Sequence, residues 1–166
     1  MRQPTSIRPA EGKLGVLLPG MGAVATTTIA GVLLARKGKG LPVGSLTQMG
    51  TIRLGRRTDK RVPKIADFVP LAGLPQLEFG GWDIFPDNAF EAADHAKVLE
   101  GHHLAEVRDE LEAIRPMKGV FYPGYVKRLS GTYTKTARTK ADMVEQVRDD
   151  IRTFKRDRQS SESRGS

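Results

Sequence analysis

The chain has 166 residues, a formal net charge of +8 and no cysteine, which excludes a disulfide-stapled scaffold and a thiolate metal centre and fits a reducing, cytoplasmic setting. A single domain of ordinary size is expected, long enough to bury roughly two-thirds of the unfolded surface. No apolar stretch approaches the roughly 20 residues of a membrane helix, because Pro19, Gly20 and Gly22 interrupt the best candidate, so no membrane partner is expected.

In chain order, residues 1–12 lack the apolar centre of a signal peptide and read as a mobile N-terminal arm. "KLGVLLPG" is a short apolar run closed by Pro and Gly, the pattern of a strand buried on both faces. Residues 22–37 follow as a helix, ending on the cations Arg36 and Lys37 with Gly38 as a stop. "LPVGSLTQMGTIRLGRRTDKRVP" alternates glycines with β-formers and predicts short extended segments and turns. "LPQLEFGGWDIFPDNAFEAADHAKVLEG" repeats the opening pattern of strand, turn and helix, with Asp87 expected to cap the helix and Glu91 and Asp94 in its N-terminal half. In "HLAEVRDELEAIRPM", Leu104, Val107, Leu111 and Ile114 recur at helical spacing until Pro116. "GVFYPGYV" is a further extended run. Met143, Val147, Ile151 and Phe154 define one face of a last amphipathic helix. The tail 158–166 is serine-rich and predicts disorder. Strands alternate with helices, so the class is α/β, with a sheet that stops short of completion.

Charge is arranged in blocks. Residues 36–64 hold nine Lys or Arg against Asp59 alone, residues 78–112 hold ten acids against Lys97 and Arg108, and residues 115–140 hold seven bases and no acid. Such blocks steer anionic ligands, dock partners or simply form solvated faces. A nucleic-acid reading is the alternative, since basic patches neutralise phosphates, but no aromatic residue lies between Val32 and Lys64 to stack on bases.

"GMGAVA" carries the most chemistry. Gly20, Gly22 and Ala25 fit the Gly-x-Gly-x-x-Gly/Ala dinucleotide pattern between a strand and a helix. The first glycine serves the tight turn, the second the approach of a pyrophosphate and the alanine close helix packing, while free amides at the helix start hold phosphate. The acid expected roughly 20 residues on to grip a ribose hydroxyl is missing, since no Asp or Glu lies between Glu11 and Asp59. Asp83 closes the second strand and is the substitute. The other reading of Asp83 is a turn or capping carboxylate. His95, His102 and His103 read as solvated histidines rather than metal ligands, and Ser45 and Ser130 lack a Gly-x-Ser-x-Gly elbow.

Taken together and in order, "KLGVLLPGMGAVATT", "VGSLTQMGTIRLGRRT" and "FGGWDIFPDNAFEAA" resemble the N-terminal part of the inositol-3-phosphate synthases, also called myo-inositol-1-phosphate synthases, of bacterial type. The resemblance covers residues 13–157 and is most specific over 44–58 and 80–86. It implies a partial Rossmann-like NAD-binding domain over 13–157 with an incomplete, mostly parallel sheet. It also implies NAD as cofactor, D-glucose 6-phosphate as substrate, a homotetramer, and no nucleic-acid or membrane partner. In the implied isomerisation, NAD oxidises and later re-reduces C5 while C6 joins C1 to give myo-inositol 3-phosphate, on the route to inositol and its phospholipids. By motif position, Gly20, Gly22, Ala23 and Val24 form the phosphate-binding turn and Asp83 is the cofactor-binding carboxylate. Where eukaryotic members have an asparagine pair, this chain has Ala23 and Val24, so only backbone contacts carry over there. The family's Asn-Gln segment has no counterpart in "FYPGYVKRLSGTYTKT". Its active-site lysines and Gly-Asp-Asp segment lie downstream, so no catalytic residue is assigned. The expectation is a truncated portion of a longer synthase, inactive alone; an NAD-binding module without turnover is the alternative.

Overall fold

The structure, a computed structural model, describes residues 11–162. Of the expected N-terminal arm only Glu11 and Gly12 fall among them, and 163–166 lie outside.

Strand β1 (Leu14–Pro19) leads through the glycine turn into helix α1 (Ala23–Arg36). A long excursion follows, holding two single-turn helices, α2 (Leu46–Met49) and α3 (Ile65–Phe68). Strand β2 (Leu77–Asp83), helices α4 (Ala89–Ala96), α5 (Gly101–Glu106) and α6 (Arg108–Glu112), strand β3 (Met117–Lys118) and helix α7 (Lys140–Glu162) complete the chain. The three strands form one parallel sheet in the order β1-β2-β3. Leu14 pairs with Leu77 and Pro19 with Trp82, which puts the ends of β1 and β2 level. The outer edge of β1 has no hydrogen-bonded strand among the described residues.

Strand side chains alternate between faces, and here the two faces meet different layers. Val16, Leu18 and Phe79 join the core made with α1 and α4–α6, where Ile29, Val107 and Leu111 are fully buried. Burying each such side chain contributes about 1.5–3 kcal/mol. The opposite face carries Gly15, Leu17 and Gly80, against which the Phe154 ring of α7 lies. Helices therefore cover both faces of a parallel sheet, as the α/β expectation required.

Several local expectations are corrected. β1 is not buried on both faces: Leu14 is half exposed and none of its six residues is fully buried, because it pairs on one side only and α7 alone covers its second face. Asp87 does not cap α4. Asn88 does, accepting from the Phe90 and Glu91 amides at 3.0 and 2.9 Å while Glu91 takes the Asn88 amide at 2.9 Å. This reciprocal box satisfies donors that a one-residue shift would orphan. The helix expected up to Pro116 breaks at Val107 (φ −127°, ψ 21°), yet Leu104, Val107, Leu111 and Ile114 all reach the core. "GVFYPGYV" is not an extended strand. β3 ends at Lys118, a parallel bridge joins Gly119 to Thr134, and turns follow. Helix α7 runs on to Glu162, past the expected onset of disorder at residue 158. A polar segment cannot build a core, but it extends an existing helix at little cost because propagation is far easier than nucleation. Arg158 assists, stacking over Phe154 at 5.4 Å and pairing with Glu78 at 3.5 Å.

Between α1 and β2 the basic excursion folds back on itself. The Ile52 amide donates to Pro63 and the Leu54 amide to Arg61, at 3.0 and 2.9 Å. The cations Arg53, Arg56, Arg57, Lys60 and Arg61 are exposed, as are Leu41, Val43 and Leu46.

Candidate functional site

A cavity of about 650 Å³ opens at the carboxyl ends of the strands, where open parallel sheets bind ligands. Pro19, Gly20 and Gly22 form one side. Trp82 and Asp83 at the end of β2, with Ile84 and Phe85, form the floor. Gly119, Val120, Phe121 and Leu129 after β3, together with Val147 on α7, close it.

The glycine turn is held rigidly from beneath. Gly20 adopts φ +97°, a conformation that favours glycine. Its amide donates to the Trp82 carbonyl at 2.8 Å. The next amide, Met21, donates to Asp83 Oδ2 at 2.6 Å, and Asp83 Oδ1 accepts from the Phe85 amide at 3.0 Å. The Met21 side chain is buried over Gly81, where a Cβ would lie 2.8 Å from the methionine sulfur and collide with the Leu18 carbonyl. The fully buried Thr26 hydroxyl donates to the Gly22 carbonyl at 3.1 Å.

What this frame presents is a bare helix N-terminus. Gly22 is the N-cap of α1, makes no side-chain cap, and no acid occupies the first turn. The first amides of a helix lack intrahelical partners and carry the positive end of the dipole, which suits phosphate. Gly22 needs no special backbone freedom, its φ being −78°, and a Cβ there would touch nothing within 4 Å. Gly22 also lines the cavity. Glycine at this position therefore leaves room for a ligand against the backbone, and the cradle fits a dinucleotide pyrophosphate.

Gly20, Gly22 and Asp83 are thus brought to one cavity. Ala23 and Val24 sit in the first turn of α1 with exposed side chains, Val24 by 83%, and neither lines the cavity. Their amides are among the first of α1, next to the Gly22 N-cap. Asp83 closes β2 as expected, and both of its oxygens accept main-chain amides, the turn role that the sequence left open beside the ribose-binding one. The excursion between α1 and β2 has pushed it 62 residues beyond Met21.

Thr26, Trp82, Phe121 and Val147 were not singled out from sequence as site residues. Thr26 follows Gly22 by one helical turn, a signal that points to a hydroxyl bonding back to the turn. The others depend on which loops converge. The family-like stretch over 44–58 lies on the excursion and contributes nothing to the cavity lining. At the start of α5, Glu100, His102 and His103 each place a ligand atom within 4.8 Å of the others, with His102 Nδ1 3.2 Å from Glu100 and both side chains mostly exposed; His95 is not among them.

A parallel sheet covered on both faces, a glycine turn feeding a bare helix N-terminus and an acid closing the neighbouring strand define a dinucleotide-binding α/β domain. Residues 14–162 match the family model for the NAD-binding domain of myo-inositol-1-phosphate synthase, and the chain belongs to that family. The match runs five residues past the limit of the resemblance drawn from sequence. The chain is 54% identical over 150 residues to inositol-3-phosphate synthase 1 of Bacteroides thetaiotaomicron, covering 90% of this chain and 34% of that protein. It is 35% identical over 157 residues to inositol-3-phosphate synthase 1 of Oryza sativa subsp. japonica, covering 86% and 31%. The crystal structure of inositol-3-phosphate synthase from Caenorhabditis elegans superposes with a TM-score of 0.76 at 27% identity, over 92% of this chain and 33% of that one. The chain spans about a third of the length of the relatives it matches. Among the described residues, no helix is long and apolar enough to cross a membrane.

Proposed function

We propose that this chain is the cofactor-holding part of an enzyme that converts D-glucose 6-phosphate to myo-inositol 3-phosphate, a cytoplasmic homotetramer that binds neither nucleic acid nor membrane. Residues 13–157 form the holding unit. The amides of Gly20, Gly22, Ala23 and Val24 cradle the NAD pyrophosphate, and Asp83 fixes the turn with one set of lone pairs while offering the remainder to a ribose hydroxyl. Bound NAD supplies reversible hydride acceptance. The single observation that carries this reading is Gly22: a cavity-lining glycine with ordinary backbone angles, at a helix N-terminus, where a side chain would meet no other atom.

A second reading, binding without turnover, is favoured by the cavity lining, which includes no lysine, acid–base histidine or other titratable side chain besides Asp83. The two are separated by one pair of measurements. Titration with NAD, following the fluorescence of Trp82, is expected to give saturable quenching that Gly22→Asp removes. Incubation of the chain alone with NAD and D-glucose 6-phosphate is expected to give no inositol phosphate. A folded chain that shows no quenching overturns the cofactor assignment, and inositol phosphate formed by the chain alone overturns the absence of catalytic groups.

A further inference from the structure

The described molecule contains a half-buried ion pair that the cofactor assignment leaves unused. Asp150 lies on α7, and its Oδ2 accepts from Trp82 Nε1 at 2.6 Å while pairing with Lys135 Nζ at 2.7 Å. The Lys135 side chain is only 9% exposed and that of Asp150 20% exposed. A charge pair this withdrawn from water holds its place only when its geometry is good and its lone pairs are met, and here one oxygen meets two donors.

Each partner of Asp150 is tied to a different wall of the cavity. Trp82 lines it, and the Trp82 carbonyl accepts the Gly20 amide at 2.8 Å. The Lys135 amide donates to the carbonyl of Gly119, another lining residue, at 2.8 Å, and the Gly119 amide donates to the Asp83 carbonyl at 2.8 Å. Val147, one helical turn before Asp150, lines the cavity from α7 itself. Neither Asp150 nor Lys135 lines the cavity.

We infer that Asp150 is a positioning residue for the cofactor cavity: through Trp82 and Lys135 it ties α7 to the glycine turn and to the segment after β3. The inference rests on the cofactor reading for its functional meaning, but its structural content does not. An unanchored indole leaves the β2 end free to shift, and the Gly20 and Met21 amides that hang from that end lose their fixed acceptors.

The test uses the 166-residue chain and the variants Asp150→Ala, Asp150→Asn and Lys135→Met, each checked for fold by circular dichroism. Asp150→Ala is expected to shift Trp82 emission to the red, to speed amide exchange at Gly20 and Met21, and to weaken NAD binding about tenfold, the cost of one hydrogen bond to a charged acceptor. Asp150→Asn keeps an oxygen for the indole and is expected to restore emission and slow exchange, which a role in general stability does not predict. Arg148→Ala, on the exposed side of the same helix, is expected to leave emission and exchange at Gly20 and Met21 unchanged. Unchanged emission and exchange in Asp150→Ala overturn the inference. If Asp150→Ala does not fold, the decision passes to Asp150→Asn and Lys135→Met: slow exchange in the first with faster exchange in the second supports the inference, and equal exchange in both overturns it. Failure of the wild-type chain to bind NAD overturns the cofactor reading alone, because emission and exchange decide the role of Asp150 without any ligand.

Discussion

The Met21 amide and the Asp83 carboxylate meet at 2.6 Å across 62 residues of chain. The other oxygen of the same carboxylate holds the Phe85 amide, so this acid, itself a lining residue of the cavity, shapes the glycine turn. Asp83→Ala removes both bonds and is expected to lower stability by about 1.5–3 kcal/mol and to abolish NAD binding. Asp83→Asn keeps one acceptor oxygen and is expected to fall between alanine and wild type in both. Urea unfolding and NAD titration on the same preparations check the order.

The two glycines of the turn are expected to fail differently. Gly22→Ala places its methyl group in open space at an ordinary φ on a residue that lines the cavity, so the melting temperature should stay near that of the wild type while NAD affinity falls. Gly20→Ala forces a side chain onto φ +97° and should cost about 1 kcal/mol or more of stability. Thermal melts followed by cofactor titration separate the two effects, and a stable Gly20→Ala variant would contradict the backbone argument.

The Gly-Gly pair before Trp82 makes a prediction about layers. A Cβ on Gly80 would press on the Phe154 ring of α7, 2.6 Å away, whereas one on Gly81 would press on backbone at Leu18 and on the Met21 sulfur. Overpacking costs about 1–3 kcal/mol, and backbone yields less readily than a ring. Gly81→Ala should therefore be the more damaging. Gly80→Ala should be partly relieved by Phe154→Leu and Gly81→Ala should not, as a double-mutant cycle of unfolding free energies would reveal.

Acid stability carries one identifiable contribution. The Lys37 ammonium, 2.6 Å from Glu110, holds that carboxyl below its ordinary value, chiefly through the hydrogen bond between them. A depressed carboxyl contributes stability above its unfolded pKa and loses it as pH falls through the lower, folded pKa. Melting temperatures of wild type and Glu110→Gln should converge as the pH drops below the carboxylate range. Both side chains are 38% exposed, so the gap at neutral pH should be small and should shrink further in high salt.

The turn at Gly20 and the core stripe Leu104, Val107, Leu111 and Ile114 were legible in the sequence because each rests on local spacing, and so was the place of Asp83 at the end of β2, whose two bonds to main-chain amides match the turn reading that its residue type alone offered. The break at Val107 did not disturb the stripe, since two short helices can present the same four side chains to one core. The choice of Asn88 over Asp87 as cap was not legible: both are good N-caps, and burial of Asn88 against the core decides. Nor was the shortness of β3, where backbone hydrogen bonds pass from Lys118 to the Gly119–Thr134 bridge. Asp150 was hidden for a different reason. On the helix it is one acid among several, and only the packing of α7 brings it to the Trp82 indole and the Lys135 ammonium.

The excursion between α1 and β2 also bears on how the domain folds. The two bonds that anchor the glycine turn to β2, Gly20 to Trp82 and Met21 to Asp83, each span 62 residues. Contacts of such high contact order close late and slowly, because a long segment of chain must be confined before any reward is collected. The turn that looks most local in the sequence is therefore among the last parts of the molecule to acquire its shape, and α1 can coil long before it has anything to grip.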